Sequence, residues 1–288
     1  MATTDGLAFR PLAVADIDDA CALDAEAGWN QVAADWRYML EAGEGLAVEA
    51  PDGRLIATGM LLPYGGWDGR RFGWIAMILV TTAWQRRGIA SEVMRRCIAR
   101  CGELGLVAGL DATEQGRPVY LPFGFRDVYP ISRWQADAVD VSAPATGARP
   151  LQTGEIDAVA DWDGAAFGAD RAPLLRHLAA RSGTLAHVAG AGPELRGYVL
   201  ARDGRQATQL GPLVAADRGT AEALLAAALS RVEGAVFLDG VDGHGWLAGW
   251  LQERGFRRQR GYVRMLLDRS APLDDPARVV LLAGPELG

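Results

Sequence analysis

The stretch LVTTAWQRRGIASEVMRRC, residues 79–97, decides how this chain is read. It starts as the end of an apolar run, WIAMILV at residues 74–80, breaks at Gln85-Arg86-Arg87-Gly88, and resumes with apolar residues three and four apart. A strand that turns directly into a helix leaves the first backbone N–H groups of that helix without intrahelical partners, all aimed one way. Such an end suits phosphate: the helix dipole adds about 0.3–1 kcal/mol per anionic group, and a glycine lets the backbone approach a ligand closely. Arg86 and Arg87 add positive charge. The spacing alone equally allows a plainer reading, in which Gly88 relieves a turn between solvated arginines.

Around this stretch the first half alternates between helical and strand patterns. Residues 16–29 and 32–41 read as amphipathic helices; 45–50, 54–63 and 72–80 read as strands. A helix over 88–104 follows, then a strand at 107–112, a short helix at 118–121 and a strand at 125–136. In the long helix Ala90, Val93, Met94, Cys97, Cys101 and Leu104 form one apolar stripe for a sheet, with Arg95, Arg96, Arg100 and Glu103 opposite. The order predicts an α/β (α+β) layered fold with a mixed central sheet flanked by helices.

At 288 residues the chain is longer than the usual single domain of roughly 100–150, which predicts two. The turn-rich VSAPATGARP, residues 141–150, is the expected linker, giving domains 1–140 and 149–288. The second half repeats the first: Arg149-Pro150-Leu151 echoes Arg10-Pro11-Leu12, and Gly255-Phe256-Arg257 laid on Gly124-Phe125-Arg126 also brings Arg264 onto Arg133.

The charge balance, 29 basic against 36 acidic side chains, gives a net −7 and argues against a nucleic-acid or anionic-membrane binder. Every basic side chain is Arg, so Lys-based Schiff-base chemistry is excluded. Three cysteines, with no even framework, suit a reducing cytoplasm. Cys97 and Cys101 lack the further His or Cys that would complete a metal site, and no metal is expected. MATTDGLAFRPLAVADID carries no basic n-region or apolar h-region, so no signal peptide is expected, and no run of eighteen apolar residues and no Gly-x-Ser-x-Gly elbow is present.

Gln85-Arg86-Arg87-Gly88-Ile89-Ala90 resembles the Q/R-x-x-G-x-G/A pyrophosphate loop of the GNAT superfamily of acyl-CoA-dependent N-acetyltransferases. LDATEQGRPVYLPFGF, residues 110–125, is similar to that family's fifth strand, short helix and Y-x-x-x-G-F ending. The resemblance covers residues 7–138 and implies acetyl-CoA as co-substrate. It implies that the amides of Gln85, Arg86, Arg87, Gly88, Ile89 and Ala90, with Ser91, hold the pyrophosphate. Main-chain groups of Ile78, Leu79 and Val80 would pair with the pantetheine arm and polarise the thioester carbonyl. Tyr120 matches the tyrosine that protonates the departing thiolate in many members. Ala90 replaces a second glycine, a change the family tolerates, whereas Pro122-Phe123 departs from its commoner ending.

Transfer to an amine requires a neutral nitrogen, and an alkyl amine of pKa near 10.4 carries a deficit of about 4–5 kcal/mol at pH 7. WIAMILV offers no base; Glu26 and Asp35 are the favoured carboxylates, with Asp111 and Glu114 also candidates. Trp29, Asn30 and Gln31, where aromatic and amide groups mix, are the expected acceptor site. The second half lacks the chemistry: LGPLVAADRGTAEALL has a shorter passage from strand to helix, and Leu251 stands where Tyr120 would. It reads as a degenerate GNAT-like domain, which either covers the first or contributes Asp163, Asp170, Asp239, Asp242 or His244 to the acceptor site. The whole layout is similar to two-domain GNAT proteins in which FGADR (167–171) and AGPELG (283–288) recur. The expected function is direct acetyl transfer from acetyl-CoA to a small-molecule amine, by a cytoplasmic monomer or homodimer with no nucleic-acid or membrane partner. A catalytically inactive CoA or metabolite sensor and a protein acetyltransferase are the alternatives.

Overall fold

The computed structural model describes residues 6–67, 69–139, 141 and 146–288 of the chain. Asp140, which ends the first expected domain, and residues 142–145 of the expected linker lie outside them. The first half runs β1 (Ala8–Pro11), α1 (Ile17–Ala27), α2 (Ala33–Ala42), β2 (Glu44–Glu49), β3 (Leu55–Trp67), β4 (Arg70–Val80), α3 (Ile89–Glu103), β5 (Val107–Thr113), α4 (Arg117–Tyr120) and β6 (Phe125–Ala136). The second runs β7 (Arg149–Pro150), α5 (Ile156–Phe167), β8 (Ala169–Asp170), α6 (Ala172–Ser182), β9 (His187–Ala189), β10 (Gly197–Arg202) and β11 (Thr208–Ala215). It continues with α7 (Arg218–Leu229), β12 (Val236–Val241), α8 (Leu247–Gln252), β13 (Arg257–Leu267) and β14 (Val279–Leu281).

Both halves share one sheet, in the order β1-β2-β3-β4-β5-β13-β6-β12-β14-β11-β10-β9-β7, with β8 added beside β3. The two halves exchange their last long strands. β13 pairs antiparallel with β5 of the first half, and β6 pairs antiparallel with β12 of the second. β6 and β13 also pair with each other, so neither half's sheet is complete without the other.

The packing follows the apolar patterns. On α3 the buried stripe is Ile89, Val93, Met94, Cys97 and Cys101; Ala90 and Leu104, expected on it, are only half-buried. The helix lies close because β3 carries Gly59, where an added Cβ would come within 2.4 Å of Val93 Cγ1. A second core lies beneath α7 and α8. A third is common to both halves, joining Trp36, Met39, Phe72 and Trp74 to Phe167, Leu174, Tyr198 and Leu287. Burying each such side chain contributes roughly 1.5–3 kcal/mol, so this shared core binds the halves as strongly as a domain interior. Among the described residues no helix is long and apolar enough to cross a membrane.

Candidate functional site

β4 and β5 run parallel but pair only over Phe72–Trp74 and Val107–Gly109. Beyond that point they part, although β4 continues to Val80 and β5 to Thr113. β4 also carries a bulge. Met60 of β3 faces Ala76 while Thr58 faces Leu79, which leaves one extra residue on β4, and Met77 takes φ 53°. A non-glycine residue in the left-handed region stores about 1–3 kcal/mol and persists only where its surroundings hold it; here the buried Thr58 hydroxyl donates to the Met77 carbonyl at 2.8 Å.

The parted strands open into a cavity of about 990 Å³. At one end stands the N-terminus of α3. Gly88, its N-cap, has φ 80°, Arg86 has φ 60°, and no side chain caps the helix, so the first-turn N–H groups stay available to a ligand. Of the residues expected to hold the pyrophosphate and pantetheine, the cavity brings together Ile78, Leu79, Val80, Gln85, Arg86, Gly88, Ile89, Ala90 and Ser91. Arg87 lies outside its lining: it stacks over Trp84 at 4.6 Å and donates to the Ala83 carbonyl. The Gln85 side chain donates to the Val80 carbonyl at 3.0 Å.

Tyr120 lines the same cavity, half-buried against Phe125, and burial pushes its phenol up to about 12. Trp29 and Gln31 line it as well, whereas Asn30 does not. Asn30 is a fastening between the halves: its Oδ1 accepts from the Gln206 and Ala207 amides and its Nδ2 donates to the Ala207 carbonyl.

Glu26 and Asp35 lie outside the cavity lining. Glu26 accepts from the Thr82 amide at 2.6 Å and the Thr81 hydroxyl at 2.8 Å, bonds that hold its carboxyl below the usual range. Asp35 is buried; it accepts from the Val32 amide at 2.9 Å and from Arg181 at 2.6 Å, with Arg202 at 3.4 Å. Both carboxylates are engaged in holding loops and halves together. Asp111 and Glu114 do line the cavity, but Asp111 is paired bidentately with Arg264 at 3.0 Å and burial pushes it up to about 6.

The wall facing β4 comes from the exchanged strand: Arg258, Gln259, Arg260, Gly261 and Tyr262 of β13, with Arg133 of β6 and Pro285-Glu286. None of the second-half residues expected there lines it. Asp163 is locked to Arg171 and Asp239 to Arg133, Asp170 accepts from the Ala172 amide, and His244 bonds the Val279 carbonyl. The alternation of β13 gives no hint that it crosses to the first half; the matched positions of Arg133 and Arg264 are the trace a sequence could offer.

The second half carries a closed copy of the same groove. β11 and β12 pair in parallel over Thr208–Leu210 and Val236–Leu238, then part, and β14 fills the gap, pairing with Leu213 and Val214 on one side and Gly240 on the other. Eight residues, 81–88, connect β4 to α3, but only Ala216 and Asp217 connect β11 to α7. Asp217 caps α7, accepting from the Thr220 amide at 2.9 Å, and so sets a carboxylate where α3 leaves open amides. Leu251, at the position matching Tyr120, is fully buried.

The sequence pattern of the acetyltransferase (GNAT) family matches residues 14–125, and that of the acetyltransferase (GNAT) domain matches residues 159–279. The chain is 24% identical to the uncharacterized N-acetyltransferase YitH of Bacillus subtilis (strain 168) over 259 residues, 88% of this chain and 89% of that one. A putative acetyltransferase from Pyrococcus horikoshii shares the fold with a TM-score of 0.82, at 22% identity over 99% of this chain and 97% of that one. A tandem GNAT protein from the clavulanic acid biosynthesis pathway shares it with a TM-score of 0.59, at 18% identity over 90% and 98%. Because both halves match GNAT patterns that together span most of its length, the chain belongs to the GNAT superfamily as a two-domain acetyltransferase.

Proposed function

We propose that the chain transfers an acetyl group from acetyl-CoA directly to the amine of a small-molecule acceptor, with residues 1–140 as the catalytic domain and 149–288 as a degenerate one that binds no CoA. The observation that carries this reading is the single cavity joining the parted end of β4, the uncapped α3 N-terminus and the Tyr120 phenol. Open amides around Gly88 suit a pyrophosphate, and the edge of Ile78–Val80 that β5 leaves without a strand partner suits an amide-bearing arm. Acetyl-CoA supplies the activated acetyl group.

The Tyr120 phenol, raised by burial, stays protonated across the neutral range and carries the proton for a thiolate leaving group. The β4 bulge at Met77 turns the backbone at the point where the acetyl carbonyl would lie, the place for a donor to a developing oxyanion. No covalent intermediate is invoked, because Cys97 and Cys101 are buried on the inner face of α3 and burial pushes their thiols up to about 12 and about 11. Glu26 and Asp35 take no proton-accepting step, because both carboxylates are engaged, Glu26 by Thr81 and Thr82 and Asp35 by Val32 and Arg181. Residues of both halves line this cavity, which favours a small molecule over a folded protein as acceptor.

The test is calorimetric titration with acetyl-CoA followed by a screen of small amines. One site per chain with amine-dependent release of CoA supports transfer; one site with no turnover on any amine makes the chain a binding protein, and no binding at all removes the proposal.

A further inference from the structure

Resting on the acetyl-transfer reading, we propose that Glu286 and Gln31 form the acceptor subsite of this cavity and that it captures a small aliphatic amine in its ammonium form, which gives up one proton to solvent water before the nitrogen attacks. The chain after β14 delivers Glu286 there. β14 fills the groove of the second half, and residues 283–288 then run under β4 of the first. Trp74 Nε1 donates to the Pro285 carbonyl at 2.8 Å, the Tyr64 hydroxyl donates to the Leu287 carbonyl at 2.6 Å, and Arg171 donates to the Gly288 carbonyl at 3.3 Å. These bonds on either side fix Glu286 on the cavity wall, 4% exposed.

Beside Gln31 and Glu286 one buried donor is also unpartnered, Arg202 Nη1, but Arg202 does not line the cavity; what the wall itself leaves over here are acceptors. Gln31, 5% exposed and on the cavity wall, has an Oε1 with no hydrogen-bond partner among the described residues. Arg202 engages Oε1 of Glu286, and among the described residues no donor engages its Oε2. Leaving a buried acceptor unpaired is costly, and a ligand N–H donor would recover that cost.

The buried charges around it leave room for a cation. Arg202 is shared between Glu286 and Asp35, Arg181 between Asp35 and the exposed Asp203, and Arg133 is paired with Asp239, so three arginines meet three buried carboxylates before Asp24 is added. Asp24, fully buried with its Oδ1 unpartnered, adds one more carboxyl to this group. Arg258 and Arg260 line the same cavity but are exposed and half-buried, and Ser132 accepts from Arg258. An ammonium group, with three donors and no acceptor, matches acceptors carried by two lining residues; a carboxylate or phosphate does not.

The experiment uses the full chain saturated with CoA, titrated with methylamine, phenethylamine and putrescine, and with 2-phenylethanol as the uncharged analogue. Phenethylamine or another ammonium in the series binds, and Glu286→Gln weakens it at least about tenfold, the loss of one charge-assisted hydrogen bond. Gln31→Glu tightens it several-fold, a gain that misfolding cannot produce, and 2-phenylethanol binds all three proteins alike. Equal ammonium affinity in the parent and Glu286→Gln, no gain in Gln31→Glu, or no ammonium bound by the parent overturns the subsite. CoA titration of the same proteins separates the two readings: CoA bound normally with the ammonium unaffected removes the subsite alone, whereas a parent that binds no CoA removes acetyl transfer itself.

Discussion

Arg133 of β6 lies directly opposite Asp239 of β12 and holds it bidentately, at 2.8 and 2.7 Å, with both side chains buried. The same relationship recurs between Arg264 of β13 and Asp111 of β5, again in register and bidentate, at 3.0 Å. Each arginine comes from the last long strand of one half and each aspartate from β5 or its counterpart β12 in the other. The exchange of strands is therefore fastened by two buried ion pairs related as the halves themselves are related. An ion pair with good fork geometry roughly offsets its own desolvation, but leaving one partner alone in the interior is costly.

Asp239→Asn leaves the Arg133 guanidinium buried with only neutral partners and is expected to cost about 3–5 kcal/mol. Because β6 and β13 belong to both halves, the loss appears as a lower urea midpoint of one transition, seen alike by fluorescence and circular dichroism. Two separated transitions would show that the halves fold as independent bodies and that the exchanged strands do not couple them.

Gly88→Glu places a side chain at φ 80° and a negative charge at the open end of α3. Left-handed strain of about 1–2 kcal/mol leaves most of the chain's stability intact, while the new carboxylate opposes a pyrophosphate. Calorimetry is expected to show one acetyl-CoA site per chain in the parent and none in the variant. A second site in the parent would contradict the filling of the second groove by β14; unchanged binding in the variant would move the phosphate site away from α3.

Tyr120→Phe removes the phenol and keeps the ring on Phe125. Turnover is expected to fall by about 10²–10⁴, the usual range for a lost general acid, with acetyl-CoA affinity unchanged. A variant that binds acetyl-CoA more weakly but turns over at the parent's rate would make Tyr120 a positioning residue.

The first half was open to reading because each element carries its own periodicity: the expected strand at 125–136 and the expected helix at 88–104 match β6 and α3 to within a residue. The partner of a strand is not written in its alternation. β6 and β13 have equivalent patterns and each fits beside either β5 or β12, so the repeat read as two self-contained domains while the chain folds as an interlocked pair. Asp111 and Asp239 precede small residues in matching strands, LDA and LDG, and their opposite numbers Arg133 and Arg264 were aligned; pairing them crosswise was the available clue. Glu26 reads as free because its amide partner Thr82 lies 56 residues on, and Asp35 because Arg181, which neutralises it, lies 146 residues on. Glu286 sits in a stretch with no periodicity at all, and only the groove filled by β14 explains where it goes.

Asp24 gives the chain a stability that depends on pH in a direction opposite to most carboxylates. Burial pushes its carboxyl up to about 7, against the donation from Trp36 Nε1 at 2.6 Å and with Glu286 and Asp35 adding to the rise. The folded chain then binds a proton that the unfolded chain, with an ordinary aspartate near 3.9, has released. Stability from this group is complete below about pH 4 and is lost as pH rises through about 7, by an amount on the order of a few kcal/mol. Asp24→Asn keeps an acceptor for Trp36 and removes the titration. Urea midpoints at pH 5 and pH 8 are expected to differ less in the variant than in the parent, with the variant the more stable of the two at pH 8. Parallel behaviour of the two proteins would mean that Asp24 stays ionised in the fold, and that the buried charges beside Glu286 already include a cation for it.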